Sequence, residues 1–298
     1  MKPDEGQGLW LGFAGVAIFA LTLPMTRLAV GTPEAPELSG VFVAAGRAVV
    51  AAALSVAFLL ATRAPLPRQG DWLPLAVTSA GVVLGFPLLS SLAMRQVQAV
   101  HASVIIGVLP LATAAMGAWL HRQRPSAGFW TCAAIGSVLV VGFAIVRSGH
   151  SGLSLQPADL LLLAATACAA VGYAWGARLS QRMSAEQVIC WALVIALPVT
   201  VPAAWLTRPQ ALLRAAAWWG FAYVAVFSMW IGFFAWYRGL ALGGTVRVSQ
   251  VQLAQPFLSM LFAVPLLGET LDGLTVGFAA AVIITVFAGK RMPVRAVE

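Results

Sequence analysis

Ten apolar stretches, each close to the length of a membrane-crossing helix, constrain this chain more than any other feature. They lie at roughly 9–30, 39–62, 72–95, 99–120, 127–147, 156–179, 186–206, 215–242, 246–267 and 272–290, and we number them spans 1 to 10. About 20 apolar residues suffice for a helix to cross the hydrocarbon core of a bilayer. The chain is 60% hydrophobic and 9% charged, which is too little charge to cover a water-facing surface. The sequence therefore predicts an all-α integral membrane protein with ten transmembrane helices.

Both chain ends are predicted to lie in the cytoplasm. An even number of spans places the two termini on the same side of the bilayer. Eleven basic residues fall on that side and five on the other, and the positive-inside rule assigns the richer side to the cytoplasm. We read the net charge of +8 as a topology signal and expect no nucleic-acid partner. The expected setting is a bacterial inner membrane, with the chain as a monomer.

A weak internal repeat links two distant parts of the chain. Ser103 and Pro110 in span 4 match Ser249 and Pro256 in span 9, both at an offset of 146 residues. Further weak matches precede and follow these positions in the same order. The order and the nearly constant offset indicate that the second part of the chain repeats the first.

Each predicted half, residues 1–150 and residues 151–298, contains five spans. Because five is odd, the second half must run upside down in the membrane relative to the first. Inverted repeats of this kind are typical of secondary transporters, whose two halves exchange shapes to open a central cavity to either side. The sequence thus favours a single membrane domain made of two inverted five-helix repeats.

Polar residues and a proline interrupt span 9, although polar groups are costly in hydrocarbon. Ser249, Gln252 and Gln255 are spaced three apart and share one helix face, directly before Pro256. A proline frees a backbone carbonyl one turn earlier. We interpret this face as the lining of a central cavity. The alternative is that the glutamines join neighbouring helices by hydrogen bonds.

The same mixture of prolines, small polar residues and aromatic residues marks other spans. The further cavity candidates are Thr22 and Pro24 on span 1, Pro87 and Ser90 on span 3, His101 and Pro110 on span 4, Tyr173 and Trp175 on span 6, and Trp230 and Phe233 on span 8. For the aromatic residues, packing and lipid contact are the alternative. For His101, a hydrogen-bonded structural role is the alternative to proton coupling.

Three charged residues close to the membrane are predicted to be structural. Glu269 ends span 9 and Asp272 begins span 10, where acids stabilise helix termini; a transport role is the alternative for Glu269. Arg47 lies within span 2 and is expected to reach toward the outer surface or to bond backbone carbonyls. Because all ten acids fall in loops or at helix ends, no buried acid is expected.

This pattern resembles the EamA family of the drug/metabolite transporter superfamily. The resemblance rests on the two five-span halves, on Arg47 in the stretch AAGRAVV, and on Pro256 followed thirteen residues later by Glu269. At the same spacing Pro110 is followed by Gln123, a departure from the family pattern. The resemblance implies export of small metabolites through a cavity lined by spans 1, 3, 4, 6, 8 and 9. The stretch LTLPMTR and the aromatic spans are most similar to the amino-acid exporter branch.

The predicted function is export of small amphipathic metabolites, amino acids first, by a uniporter that runs down the substrate gradient. The sequence contains no P-loop that would bind ATP. Proton-coupled export of another metabolite or drug is the alternative. A membrane-embedded enzyme is disfavoured because no paired acids or Ser–Lys pair lie within the spans. We expect the lipid bilayer and a small solute as partners, with no catalytic residue, metal ion or cofactor.

The arginine asymmetry makes a testable prediction about topology. In a variant without Cys132, Cys168 and Cys190, single cysteines at positions 66 and 210 are expected to react with an impermeant thiol reagent from opposite sides. Position 66 should react only from the cytoplasm and position 210 only from the periplasm. The reverse pattern would contradict both the orientation and the argument for inverted halves.

Overall fold

The computed structural model describes residues 3–120, 123–147, 156–210, 213–243, 248–292 and 294–296. Helices make up nearly all of these residues. Five spans are single helices: span 2 is Gly40–Ala61, span 5 is Ala127–Arg147, span 6 is Pro157–Leu179, span 7 is Ala185–Leu206 and span 10 is Gly273–Lys290. Three spans have two segments each: span 1 has Pro3–Ala20 and Thr22–Val30, span 4 has Ala99–Ile106 and Leu109–Leu120, and span 9 has Ser249–Ala254 and Gln255–Leu267. Two spans have three segments each: span 3 has Trp72–Thr78, Ser79–Gly85 and Phe86–Met94, which follow a single turn at Gln69–Asp71, and span 8 has Ala215–Tyr223, Val224–Ile231 and Gly232–Gly243.

Seven of the spans are both long enough and apolar enough to cross a bilayer, namely spans 1 to 4 and 6 to 8. In spans 5, 9 and 10 the apolar helices are shorter over the described residues: Ala127–Phe143, Val251–Leu267 and Gly273–Gly289. Large apolar side chains such as Leu60 and Leu206 are exposed on the outside of the bundle, as lipid contact requires. The helical membrane fold is confirmed, and the count of ten crossing helices stays a prediction.

One short ribbon departs from the all-α prediction. Gln123–Pro125, in the connection between spans 4 and 5, pairs antiparallel with Val294–Ala296, which follows span 10. Neither segment has an alternating pattern long enough to indicate a strand in the sequence. The pairing attaches the C-terminal segment to the connection between spans 4 and 5.

Interruptions of the helices precede each of the four prolines predicted to cause them. Span 1 has a turn at Leu21 before Pro24, and span 4 breaks between Ile106 and Leu109, where Pro110 follows. In span 9 a 3-10 segment gives way to an α-helix directly before Pro256. Proline cannot donate a backbone hydrogen bond and its ring displaces the carbonyl of the preceding turn, which explains why regular α-helix does not continue through these positions.

Spans 3 and 8 contain wider π-helical segments, Ser79–Gly85 and Val224–Ile231. Such segments are rare and frequently occur at functional sites. Pro87 follows the segment in span 3, whereas span 8 has no proline nearby, and its break was not predicted. The two π segments occupy corresponding places in the two halves, as do the breaks before Pro110 and Pro256.

The spans pack in pairs that join the two halves. The main pairs are spans 1 and 8, 2 and 7, 3 and 6, 4 and 6, 1 and 9, and 5 and 10, and exchanging spans 1–5 with spans 6–10 leaves this set unchanged. Glycines allow the closest crossings. A Cβ on Gly81 would lie 2.8 Å from the Cα of Gly172 between spans 3 and 6, and one on Gly239 would lie 2.6 Å from the nitrogen of Gly12 between spans 8 and 1.

Glu269 joins spans 9 and 4 at one end of the bundle. Its two carboxylate oxygens accept hydrogen bonds from the backbone N–H groups of Ala99 and Val100, each at 2.8 Å. Because these N–H groups begin span 4, they have no partner within their own helix, and the helix dipole favours a carboxylate there. Asp272 accepts from the backbone N–H of Thr275 at 3.0 Å and so caps span 10. Glu269 thus has a structural contact, although it caps span 4 and not the helix that follows it.

Further cross-links tie the same end of the bundle, which we call the Glu269 end. Arg27 donates to the carbonyl of Met94 at 2.5 Å, and Arg95 donates to the carbonyl of Leu38 at 2.8 Å. At the opposite end, a salt bridge of 3.6 Å joins Arg238 to Glu186, and the arginine side chain is 60% exposed. The start of span 4 meets the end of span 9, so these two helices run antiparallel.

Replacing Glu269 with alanine is expected to lower stability. The substitution leaves two N–H groups at a buried helix terminus without partners, which costs roughly 1–3 kcal/mol. The melting temperature of the purified protein in detergent should fall, and it should be unchanged in Glu34→Ala, which removes an exposed carboxylate. An unchanged melting temperature in Glu269→Ala would show that the cap does not hold spans 4 and 9 together.

Candidate functional site

Two adjoining cavities lie in the middle of the bundle, at the level of the helix breaks. The first, between spans 1, 4 and 9, has a volume of about 10 Å³, and the second, between spans 1, 2, 3, 4, 6, 8 and 9, has a volume of about 20 Å³. Leu23, Ile106, Leu109 and Gln255 line both cavities. At this size each cavity has space for about one water molecule, so a larger solute enters only when the surrounding helices separate.

The first cavity brings together the residues that were singled out on spans 4 and 9. Pro110, Gln252, Gln255 and Pro256 all line it. Gln252 is 1% exposed, and neither its Oε1 nor its Nε2 has a hydrogen-bond partner. The alternative in which this glutamine bonds a neighbouring helix is therefore not realised here. The side chain of Ser249 lies outside the described residues.

The second cavity is lined by both polar and aromatic residues. The hydroxyl groups of Thr22 and Ser228 lie 2.8 Å apart across spans 1 and 8. Phe19 packs against Phe233 and Tyr173, with ring centroids 5.0 and 6.4 Å apart. Thr22, Tyr173 and Phe233 were predicted to line a cavity, whereas Phe19 and Ser228 were missed. Ser228 had a signal, since it is an isolated polar residue in the apolar centre of span 8.

Arg47 also lines the second cavity, and its predicted position is wrong. The side chain is 2% exposed, so it does not reach the membrane surface. Its Nε and Nη1 atoms have no hydrogen-bond partner, so they do not bond backbone carbonyls either. An ion without a partner in a protein interior carries a penalty of several kcal/mol. The guanidinium borders a cavity in which a solute can supply a partner.

Six of the predicted cavity residues do not line these two cavities: Pro24, Pro87, Ser90, His101, Trp175 and Trp230. The Oγ of Ser90 donates to the carbonyl of Phe86 in its own helix at 2.6 Å. Trp230 packs against Phe234 at 4.8 Å between ring centroids. Trp175 lines a separate cavity beside Arg178 and Arg182, between spans 3 and 6.

His101 is paired with a buried acid at the Glu269 end. Its Nε2 lies 2.7 Å from Oδ1 of Asp159, whose side chain is 1% exposed. The other oxygen of Asp159 accepts the backbone N–H of Gln156 at 3.1 Å, which caps the start of span 6. The expectation that no acid is buried is therefore wrong. The position of Asp159 at a helix end suggested that its side chain is exposed. The backbone N–H that it caps and the histidine are partners that allow it to be buried.

The charge in the two cavities is positive. Among the described residues that line them, Arg47 is the only charged one, and none is acidic. No group of three His, Cys, Asp or Glu side chains within the described ranges is placed to hold a metal ion. The remaining polar groups are hydroxyls and amides. These lining residues can bind an anionic or neutral polar group together with an apolar group.

Comparison with known proteins identifies the family. A sequence model of the EamA-like transporter family matches residues 6–146 and again residues 156–288. The chain belongs to this family. The resemblance noted in the sequence is thus confirmed, and the molecule is a membrane transporter.

Two further similarities support the assignment. A Bacillus subtilis (strain 168) protein described as the uncharacterized transporter YdeK is 42% identical over 285 residues, which cover 95% of this chain and 96% of that protein. A solved crystal structure with 17% sequence identity has a TM-score of 0.63 and covers 96% of this chain and 97% of its own. At that identity the crystal structure shows a shared fold alone.

Substitution of the glutamines on span 9 tests whether the first cavity is used. Gln255→Leu should lower transport by a few-fold to about tenfold, because it removes a hydrogen bond to a polar solute. Gln252→Leu should leave the melting temperature unchanged or raise it, because the amide has no protein partner to lose. Transport and melting temperature are measured on both variants, with the exposed Gln96→Leu as control. Unchanged transport with a lowered melting temperature would mean that the glutamines only join helices.

Proposed function

We propose that this transporter exports small amphipathic metabolites, amino acids first, through the two central cavities. The observation that carries the proposal is the second cavity, where a buried guanidinium and hydroxyl groups face an aromatic wall. A neutral or zwitterionic solute with an apolar side chain matches both surfaces. No sequence or structural feature of the described residues points to a catalytic centre, and transport accounts for the cavity without one.

We further propose that the halves 1–150 and 151–298 are inverted repeats that alternate access to the cavity. The same family model matches each half once, and the helix breaks in spans 3 and 4 correspond to those in spans 8 and 9. The set of packed span pairs is also unchanged when the halves are exchanged. Two equivalent halves can take each other's shape, which converts an outward-open cavity into an inward-open one.

The direction of the bundle follows from the basic residues. With both termini in the cytoplasm of a bacterium, the Glu269 end faces the periplasm. In an outward-open form the cross-links of this end would separate, among them the contact between Glu269 and the start of span 4. We place the protein in the bacterial inner membrane as a monomer; the bacterial relative supports that location.

The driving force in this proposal is the substrate gradient. The absence of buried acids would favour this driving force, but Asp159 is buried. The support now comes from the cavities, since no acid lines them over the described residues. Proton coupling is the second candidate, favoured by the buried pair of His101 and Asp159, the kind of titratable group that proton-coupled carriers use.

A competition panel in proteoliposomes tests the proposed function. Purified protein is reconstituted, and exchange of a labelled amino acid is measured against unlabelled amino acids, sugars, nucleosides and lipophilic cations. Apolar and aromatic amino acids should compete, whereas sugars and cations should not. Protein-free liposomes serve as control. Competition by lipophilic cations alone would overturn the assignment of amino acids and leave a transporter of another class.

A pH gradient separates the two driving forces. Uptake into proteoliposomes should reach the external concentration of the solute and stop there, whether or not a pH gradient is imposed. His101→Gln, which retains a donor toward Asp159, should transport like the unchanged protein. Accumulation above the external concentration under a pH gradient, lost in His101→Gln, would overturn the uniporter and establish proton coupling.

A further inference from the structure

We propose that Arg47 binds the carboxylate of the transported solute and thereby determines which solutes the cavity accepts. This inference rests on the proposed function and deepens it, because it names a chemical group that the substrate must carry.

Arg47 lies well inside the membrane-spanning part of the bundle. Span 2 begins at Gly40 and ends at Ala61, so Arg47 is about 10 Å along a helix of about 33 Å. The flexible arginine side chain could extend toward an aqueous surface, yet it is 2% exposed and lines the second cavity. The helix therefore holds a permanent positive charge beside an internal space.

The positive charge has no counterpart within the described protein. The ion pairs among the described residues involve His101, Arg182, Arg214 and Arg238, and Arg47 forms none of them. Two of its three guanidinium nitrogens also lack any hydrogen-bond partner. A buried ion is normally paired or hydrogen-bonded, so the missing partner points to a ligand that brings its own negative charge.

The geometry of the group selects a carboxylate. A guanidinium presents parallel N–H donors that match the two oxygens of a carboxylate. No second charged side chain lines the described part of the cavity, which suits a single negative charge and disfavours phosphate or a dicarboxylate. The apolar part of the same solute can lie against Phe19, Phe86 and Phe233, which form another part of the wall.

The lining of the cavity also offers acceptors for an ammonium group without requiring one. The hydroxyl oxygens of Thr22 and Ser228 and the amide oxygen of Gln255 can accept hydrogen bonds, but none of them carries a charge. An amino acid and a simple carboxylic acid therefore share the group that Arg47 recognises. An amine or an amide lacks the carboxylate that Arg47 recognises.

A structural arginine and a binding arginine differ in their effect on the unliganded protein. An arginine that holds helices together loses hydrogen bonds when it is replaced, and the melting temperature falls. Arg47 has an unpaired charge, so a neutral replacement removes a desolvation penalty. The melting temperature of unliganded Arg47→Gln should therefore be unchanged or higher.

The experiment compares four probes of one size on the full-length purified protein. These are phenylalanine, 3-phenylpropionate, phenylalaninamide and phenethylamine. We expect the first two to raise the melting temperature and to compete for transport in proteoliposomes, and the last two to do neither. If phenylalanine raises the melting temperature more and competes more strongly than 3-phenylpropionate, the preferred solute is an amino acid. If the two probes have equal effects, the site accepts carboxylic acids in general.

Variants then assign the selectivity to Arg47. Arg47→Gln should weaken binding of the two carboxylate probes roughly ten- to hundredfold, the effect of losing a hydrogen-bonded ion. Arg47→Lys keeps the charge without the paired donors and should bind with intermediate affinity. Arg208→Gln, which removes an exposed positive charge beside Trp205, should behave like the unchanged protein.

Two results would overturn the role of Arg47 while leaving transport intact: equal transport of phenylalaninamide and phenylalanine, or full carboxylate binding by Arg47→Gln. A lowered melting temperature of unliganded Arg47→Gln with unchanged selectivity would make the arginine structural. If the unchanged protein binds and moves no probe and no amino acid, the proposed function itself fails together with this inference.

Discussion

Hydrocarbon offers no hydrogen-bond partner, and this constraint governs where the polar residues of the chain lie. Glu269 and Asp159 are buried; two backbone N–H groups satisfy Glu269, and one backbone N–H group and His101 satisfy Asp159. Arg47 and Gln252 are equally buried, yet their side chains lack partners. Several buried hydroxyl and indole groups lack partners as well, but Arg47 and Gln252 have the greatest unmet bonding capacity, and both line the central cavities.

The helix breaks also lie beside the two central cavities. Prolines and π segments disturb the backbone at the level of the cavities, where neighbouring spans or a solute can reach the affected groups. Glycine contacts hold span 1 against span 8 and span 3 against span 6, which brings the two halves together around that space. The site is therefore a product of the interface between the halves. An architecture of this kind links any change of packing between the halves to the shape of the cavity.

Much of this could be predicted from the sequence, because apolar length and proline position are local properties. The helices, the breaks before Pro110 and Pro256, and the cavity position of Gln255 follow from them. The cavity position of Arg47 could not be predicted, since span 2 is apolar on all sides and its rotation depends on its neighbours. Asp159 was misjudged because its partner, His101, is distant in sequence. The π segment of span 8 could not be predicted either, because no proline near it indicates an interruption of the helix.

Protection of a cavity cysteine tests most directly whether the solute occupies the central space. Leu23 lines both cavities, so Leu23→Cys is made in the cysteine-free variant and treated with a small water-soluble thiol reagent. A transported solute at ten times its Kd should slow the modification about tenfold, because the site is then almost fully occupied, and a solute that is not transported should have no effect. Leu66→Cys, in the exposed connection between spans 2 and 3, should react without dependence on the solute. A transported solute that leaves the reaction at position 23 unchanged would contradict the account.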